Sequence, residues 1–112
     1  MKFQILLLAI TTAFSCVVSA ATDIGHGTLK GIKVYDLGAD KSIRIYFNND
    51  VNNENTNCSK VAKVTYNLHD KEFVDRFLSI AMAAYISGKK VRVVSNTNDC
   101  EASFIGIQEL RF

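Results

Sequence analysis

Two cysteines flank a helix-forming segment, and this arrangement constrains the fold more than any other feature of the sequence. Cys58 precedes segment 70–87, and Cys100 follows the strand-like segment after it. A bond between them would close a long loop that holds one predicted helix and two predicted strands. In the loop-entropy model such a bridge contributes about 4 kcal/mol, comparable with the net stability of a small domain. The pair therefore predicts a small, oxidised domain.

The first twenty residues have the pattern of an export signal. Lys2 gives a positive start, an apolar stretch begins with 3–10, and 18–20 (VSA) form a small-residue cleavage site. The apolar stretch is too short to span a membrane. We expect a signal peptide over residues 1–20, cleavage near Ala20, and a secreted or periplasmic protein. Lipidation at Cys16 is an alternative, although the residues before it fit a lipobox poorly.

Charge and cysteine count narrow the classes of function. The formal net charge of +2 falls by one unit when Lys2 is removed with the signal. This balance lacks the basic excess of a nucleic-acid-binding surface, so we expect no nucleic-acid partner. Removal of Cys16 leaves two cysteines, which pair in only one way, Cys58 with Cys100.

Hydrophobic periodicity predicts one helix among five strands. Apolar residues recur at three- and four-residue spacing over 70–87, with Asp70 as N-cap and Gly88 as C-cap. The predicted strands, where apolar and polar residues alternate, are 28–37, 42–47, 61–68, 90–94 and 103–112. Gly31, isolated in the first strand, predicts a bulge. Residues 21–27 are polar and glycine-rich, and we expect them to be flexible.

This order of elements, with the helix between the third and fourth strands, predicts a mainly β, α+β domain over residues 28–112. It is the order of the OB-fold, a five-stranded Greek-key barrel. In that barrel the cysteine pair would tie the approach to the third strand to the turn between the fourth and fifth. A plain β-meander with a packed helix is the alternative.

The sequence contains no recognisable catalytic or metal-binding motif. His26 lies in a glycine-rich segment and His69 directly precedes the helix, and both cysteines are used by the predicted disulfide. The asparagine-rich segment 48–57 lacks the glycine that a calcium loop requires at its sixth position. We therefore expect no enzyme activity, no cofactor and no metal site, and we interpret 48–57 as a solvated turn.

One aromatic residue is a candidate for ligand binding. In the segment SIRIYF, Ile43, Ile45 and Phe47 share one face of the strand, and Arg44 and Tyr46 lie on the other. An exposed tyrosine on an OB-fold sheet is where a base or a sugar ring would stack. The alternative is an isolated surface aromatic with no ligand.

Segment 77–94 (FLSIAMAAYISGKKVRVV) resembles the B, receptor-binding subunits of subtilase cytotoxin and typhoid toxin. The similarity lies in a helix that ends Ala-x-x-Ala-Tyr-x-x-Gly and is followed by Lys-Lys-Val-Arg-Val, and it extends to Cys100. The start of the first strand, 29–32 (LKGI), is also similar. The resemblance implies a secreted OB-fold protein that forms a ring of five, binds sialylated host-cell glycans and partners a catalytic toxin subunit.

Two positions depart from that family. Lys30 stands where those subunits have a serine that holds sialic acid, and Ser95 stands where they have a tyrosine that lines the site. The family's glycan site is therefore not carried over. We take Lys30, Tyr46, Ser95 and Asn96 as the first candidate ligand contacts of a non-catalytic exported module that binds a host-cell glycan or a protein. The alternative is a periplasmic OB-fold protein with a structural, stress or inhibitory role and no glycan ligand.

Overall fold

A computed structural model of the chain describes residues 21–49, 51–53 and 55–112. The predicted signal peptide, residues 1–20, lies outside this part. The elements are six strands and one helix: β1 (Thr22–Gly27), β2 (Leu29–Leu37), β3 (Asp40–Phe47), β4 (Val61–Thr65), α1 (Lys71–Ser87), β5 (Val91–Ser95) and β6 (Phe104–Ile107). Short 3₁₀ turns at Thr56–Cys58 and Tyr66–Leu68 flank β4. In the described part, no helix has the length and apolar character needed to cross a membrane.

The strands form two antiparallel sheets of three strands, in the orders β1-β5-β6 and β2-β3-β4. Only Thr28 separates β1 from β2, so one stretch of chain supplies an edge strand to each sheet. A parallel bridge also links β4 to the segment before β6, where Lys63 N donates to Cys100 O at 3.0 Å and Ala102 N donates to Lys63 O at 2.8 Å. The architecture is α+β as predicted, but the described residues form two sheets and not one closed five-stranded barrel.

The prediction of a flexible segment over residues 21–27 is wrong. This segment is β1, which pairs along its length with β5, and most of its residues are buried. The glycines that suggested flexibility have a packing role, since a Cβ atom on Gly25 would lie 2.6–2.9 Å from ring carbons of Phe47. The folded domain therefore includes β1, which lies before the predicted start at residue 28.

We expect Gly25→Ala to lower the free energy of unfolding by about 1–3 kcal/mol, because overpacking forces the Phe47 ring or the backbone to move. Gly31→Ala is the matched control, since no atom lies within 4 Å of its Cβ position. Urea denaturation of both variants measures the difference. Equal stability of the two variants would contradict the packing role of Gly25.

The hairpin and the helix follow the sequence pattern closely. The register of β2 and β3 shifts between Leu29 and Gly31, which confirms the predicted bulge. The side chains of Ile43, Ile45 and Phe47 are buried in the core. The helix packs Phe77, Ala81 and Ala84 inward and ends at Gly88, whose φ of 70° is the left-handed conformation typical of a C-cap.

The predicted disulfide between Cys58 and Cys100 is present, with a Cα–Cα distance of 5.4 Å, which is ordinary for this bond. It joins the 3₁₀ turn before β4 to the segment before β6. The bond lies beside the parallel bridge at Lys63, so a covalent link and backbone hydrogen bonds connect the same two segments. This arrangement fixes the edge of the β2-β3-β4 sheet.

Candidate ligand-binding face

Three cations and two tyrosines lie on the outer face of the β2-β3-β4 sheet. Side chains alternate along a strand, and directly paired residues of neighbouring strands share a face. Arg44, in β3, pairs with Lys33 of β2 on one side and with Lys63 of β4 on the other. Tyr35 follows Lys33 by two residues, and Tyr46 follows Arg44 by two, so both tyrosines share this face. We call these five residues the basic tyrosine face. It lies opposite the buried side of the sheet.

The aromatic and cationic side chains of this face contact each other. The hydroxyl oxygens of Tyr35 and Tyr46 lie 3.1 Å apart. Lys33 Nζ lies 5.0 Å from the Tyr46 ring centroid, and Arg44 Cζ lies 4.7 Å from that of Tyr35. The hydrogen bond to Tyr35, together with desolvation, raises the pKa of Tyr46 above its usual value, so this hydroxyl stays neutral. These contacts hold the tyrosine rings in place on the sheet.

Arg44 has hydrogen-bonding capacity that the described residues do not use. Its Nη2 donates to Asp40 Oδ2 at 2.8 Å, and Ser42 Oγ donates to the other carboxylate oxygen at 2.9 Å. Its Nε is buried and has no hydrogen-bond partner in the described part of the chain. An unsatisfied buried donor costs about 1–3 kcal/mol. Asp40 therefore orients the guanidinium group, but not all of its N–H donors have a partner among the described residues.

A cleft of about 290 Å³ opens on this face, lined by Arg44, Tyr46, Lys63 and the disulfide. Asn57 and Val61 complete the lining. None of the described residues that line it is acidic, and its two charged side chains are positive: Lys63, and Arg44, which forms an ion pair with Asp40 at 2.8 Å. Because the disulfide forms one wall, that wall is rigid. The cleft combines a flat aromatic ring with two cations, which suits an anion that carries an apolar ring surface.

A second cleft, of about 490 Å³, lies between the start of α1 and the β5–β6 connection and has acidic residues in its lining. Asp99 Oδ1 accepts from Thr97 Oγ1 at 2.7 Å, Glu101 N at 2.9 Å and Ser95 Oγ at 3.0 Å. The Thr97 hydrogen bond is the largest of the effects that lower the pKa of Asp99. Glu101 binds the Thr65 hydroxyl and His69 Nε2, each at 2.8 Å. The carboxylates of Asp99 and Glu101 therefore hold the β5–β6 connection in place through these hydrogen bonds.

The four residues predicted from sequence do not form one site. Tyr46, in β3, lines the first cleft, whereas Asn96, in the connection after β5, lines the second. Ser95 is fully buried, and its hydroxyl is hydrogen-bonded within its own loop. Lys30 is exposed at the β2 bulge and lines neither cleft.

Sequence reasoning missed Arg44 and Lys63 as members of the site. The alternation in SIRIYF already places Arg44 on the same face as Tyr46. The position of Lys63 depends on the register between β3 and β4, which the sequence does not show.

No protein-family model, curated protein or solved structure matches the chain. The resemblance to the toxin B subunits therefore stays a prediction.

Proposed function

We propose that the chain is an exported, non-catalytic binding module of the OB type, and that its basic tyrosine face binds an acidic glycan. The observation that carries the proposal is the cleft at Arg44, Tyr46 and Lys63, where two cations flank an aromatic ring and the described lining holds no carboxylate. The disulfide supports export, because such bonds persist in oxidising compartments.

The OB-type arrangement is supported by the strand connections. If β1 and β2 are taken as one long strand bent at Thr28, the chain has five strands with α1 between the third and fourth. The parallel bridge between Lys63 and Glu101 then brings the third strand beside the fifth. In the OB-fold, the outer face of the central strands binds oligosaccharides and oligonucleotides. The basic tyrosine face corresponds to that surface.

The chemistry of the cleft favours a carboxylated sugar. A guanidinium group binds a carboxylate through charge-assisted hydrogen bonds, and Arg44, which Asp40 orients, lines the cleft. Lys63 adds a second positive charge, and the Tyr46 ring offers an apolar surface to the sugar ring. The toxin resemblance points to the same class of ligand, although the residues differ. The homopentameric ring that the resemblance implies is also part of this proposal.

A glycan array with the mature protein tests this function. We expect retention on glycans that end in a carboxylated sugar, with weaker retention on their neutral counterparts. Arg44→Met is expected to lower the affinity about 10- to 150-fold, the effect of losing a hydrogen bond to a charged group. Arg76→Met removes the same charge from the exposed surface of α1 and should leave affinity unchanged.

Two outcomes of this experiment would overturn the proposal. One is equal retention of neutral and acidic glycans by the wild-type protein. The other is equal loss of affinity in Arg44→Met and Arg76→Met when circular dichroism shows both variants folded.

A further inference from the structure

A third cleft, of about 350 Å³, lies between α1 and the β2–β3 hairpin. Its walls are mainly apolar: Val34 and Ile43 come from the hairpin, and Val74 and Leu78 come from the helix. Tyr66, in the 3₁₀ turn after β4, forms part of the lining. We call this space the helix–hairpin cleft. Its volume is at the lower end of the range for small-molecule sites.

The hairpin floor of this cleft is an inner sheet surface that the described residues cover only in part. Val34 pairs directly with Ile43 in the sheet, so both side chains point to the core side. Ile43 is 2% exposed, whereas Val34 is 60% exposed. The inner surface is therefore covered at Ile43 and open at Val34. Removal of this apolar surface from water would be favourable.

The polar groups of the cleft favour an uncharged ligand. Lys71 Nζ and Asp75 Oδ2 form an ion pair at 2.7 Å, so these two charges neutralise each other. His69 uses its Nε2 on Glu101. The Tyr66 hydroxyl has no hydrogen-bond partner within the described ranges, and a phenol hydroxyl both donates and accepts. One neutral hydrogen-bonding group is therefore offered to a ligand.

We propose that the helix–hairpin cleft binds a small uncharged molecule with an apolar body and one polar group that hydrogen-bonds to the Tyr66 hydroxyl. The cleft volume of about 350 Å³ lies within the range for small-molecule sites. Val34 and Ile43 point away from the face that carries Lys33 and Arg44. This site is thus independent of the basic tyrosine face, and both can be occupied together.

The test is a titration of the mature protein with N-phenyl-1-naphthylamine, an uncharged apolar molecule with one N–H group, followed by ¹H–¹⁵N spectra. We expect saturable shifts of amides around Val34, Tyr66 and Val74. Val34→Phe should fill the cleft and weaken binding at least about tenfold. Leu37→Phe adds a ring at an exposed hairpin position outside the cleft and should bind as the wild type does.

Two further comparisons identify the polar contact and the charge preference. Tyr66→Phe removes only the hydroxyl and should weaken binding about two- to tenfold, the effect of one net hydrogen bond. The sulfonated analogue 8-anilinonaphthalene-1-sulfonate should bind the cleft more weakly than the uncharged probe.

The proposal is overturned if the shifts do not saturate or centre elsewhere, for example on the exposed side chains of Ile86 and Phe112. It is also overturned if folded Val34→Phe binds as tightly as Leu37→Phe, if Tyr66→Phe binds as the wild type does, or if the sulfonated analogue binds equally well. These outcomes concern only this cleft, and they leave the glycan proposal standing.

Discussion

Replacement of Cys58 by serine is expected to lower the free energy of unfolding by about 2–5 kcal/mol. The disulfide closes a loop with a sequence separation of 42, which contains β4, α1 and β5. Without it, the unfolded chain gains conformational freedom, and the two segments are held together by hydrogen bonds without a covalent link. Urea denaturation of the oxidised wild type and the variant measures the change.

Two controls separate the bond from the side chains that form it. We expect a similar decrease in the free energy of unfolding, relative to the oxidised wild type, for the reduced wild-type protein and for the double variant Cys58→Ala/Cys100→Ala. Mass spectrometry of the oxidised mature protein should find it two hydrogens lighter than the reduced chain. A double variant as stable as the oxidised wild type would show that the bridge does not stabilise the fold.

The second large effect is expected for Glu101→Ala, which should lower the free energy of unfolding by about 3 kcal/mol. Glu101 is 9% exposed and accepts hydrogen bonds from the Thr65 backbone N–H, the Thr65 hydroxyl and His69 Nε2. It connects the end of β4, the turn before α1 and the segment before β6. Removal of the carboxylate leaves three partly buried donors without their acceptor. Thermal or urea denaturation at neutral pH measures the loss.

The matched control is Glu72→Ala, at the exposed first turn of α1. The Glu72 side chain is 80% exposed, and its nearest ion-pair contact, to Arg76, is 3.9 Å long. We expect a change within about 0.5 kcal/mol, as for most surface substitutions. If Glu101→Ala and Glu72→Ala had the same stability, the carboxylate of Glu101 would not be the connection described above.

The elements that depend on local pattern were predictable from sequence. The helix over Lys71–Ser87 follows from apolar spacing and from Gly88. The β2–β3 hairpin and its bulge follow from alternation and from Gly31. The disulfide follows from the two cysteines that lie outside the predicted signal peptide. In each case, neighbouring residues or a single available pairing carry the information.

The elements that depend on long-range contacts were not predictable. Segment 21–27 is a strand because β5, far along the chain, supplies its partner. Ser95 is buried because its loop folds around its hydroxyl, a geometry that no local motif indicates. In the candidate site, alternation alone predicted that Arg44 and Tyr46 share a face, whereas Lys63 joins them only through the register of β3 and β4.

The most direct test of the central claim is chemical-shift mapping of the mature protein with sialyllactose and with lactose, which lacks the carboxylated sugar. Binding at the basic tyrosine face predicts that sialyllactose shifts the amides of Arg44, Tyr46 and Lys63 in a saturable manner, and that lactose does not. Equal shifts with both sugars, shifts centred on Asn96 in the acidic cleft, or no shifts at all would contradict it.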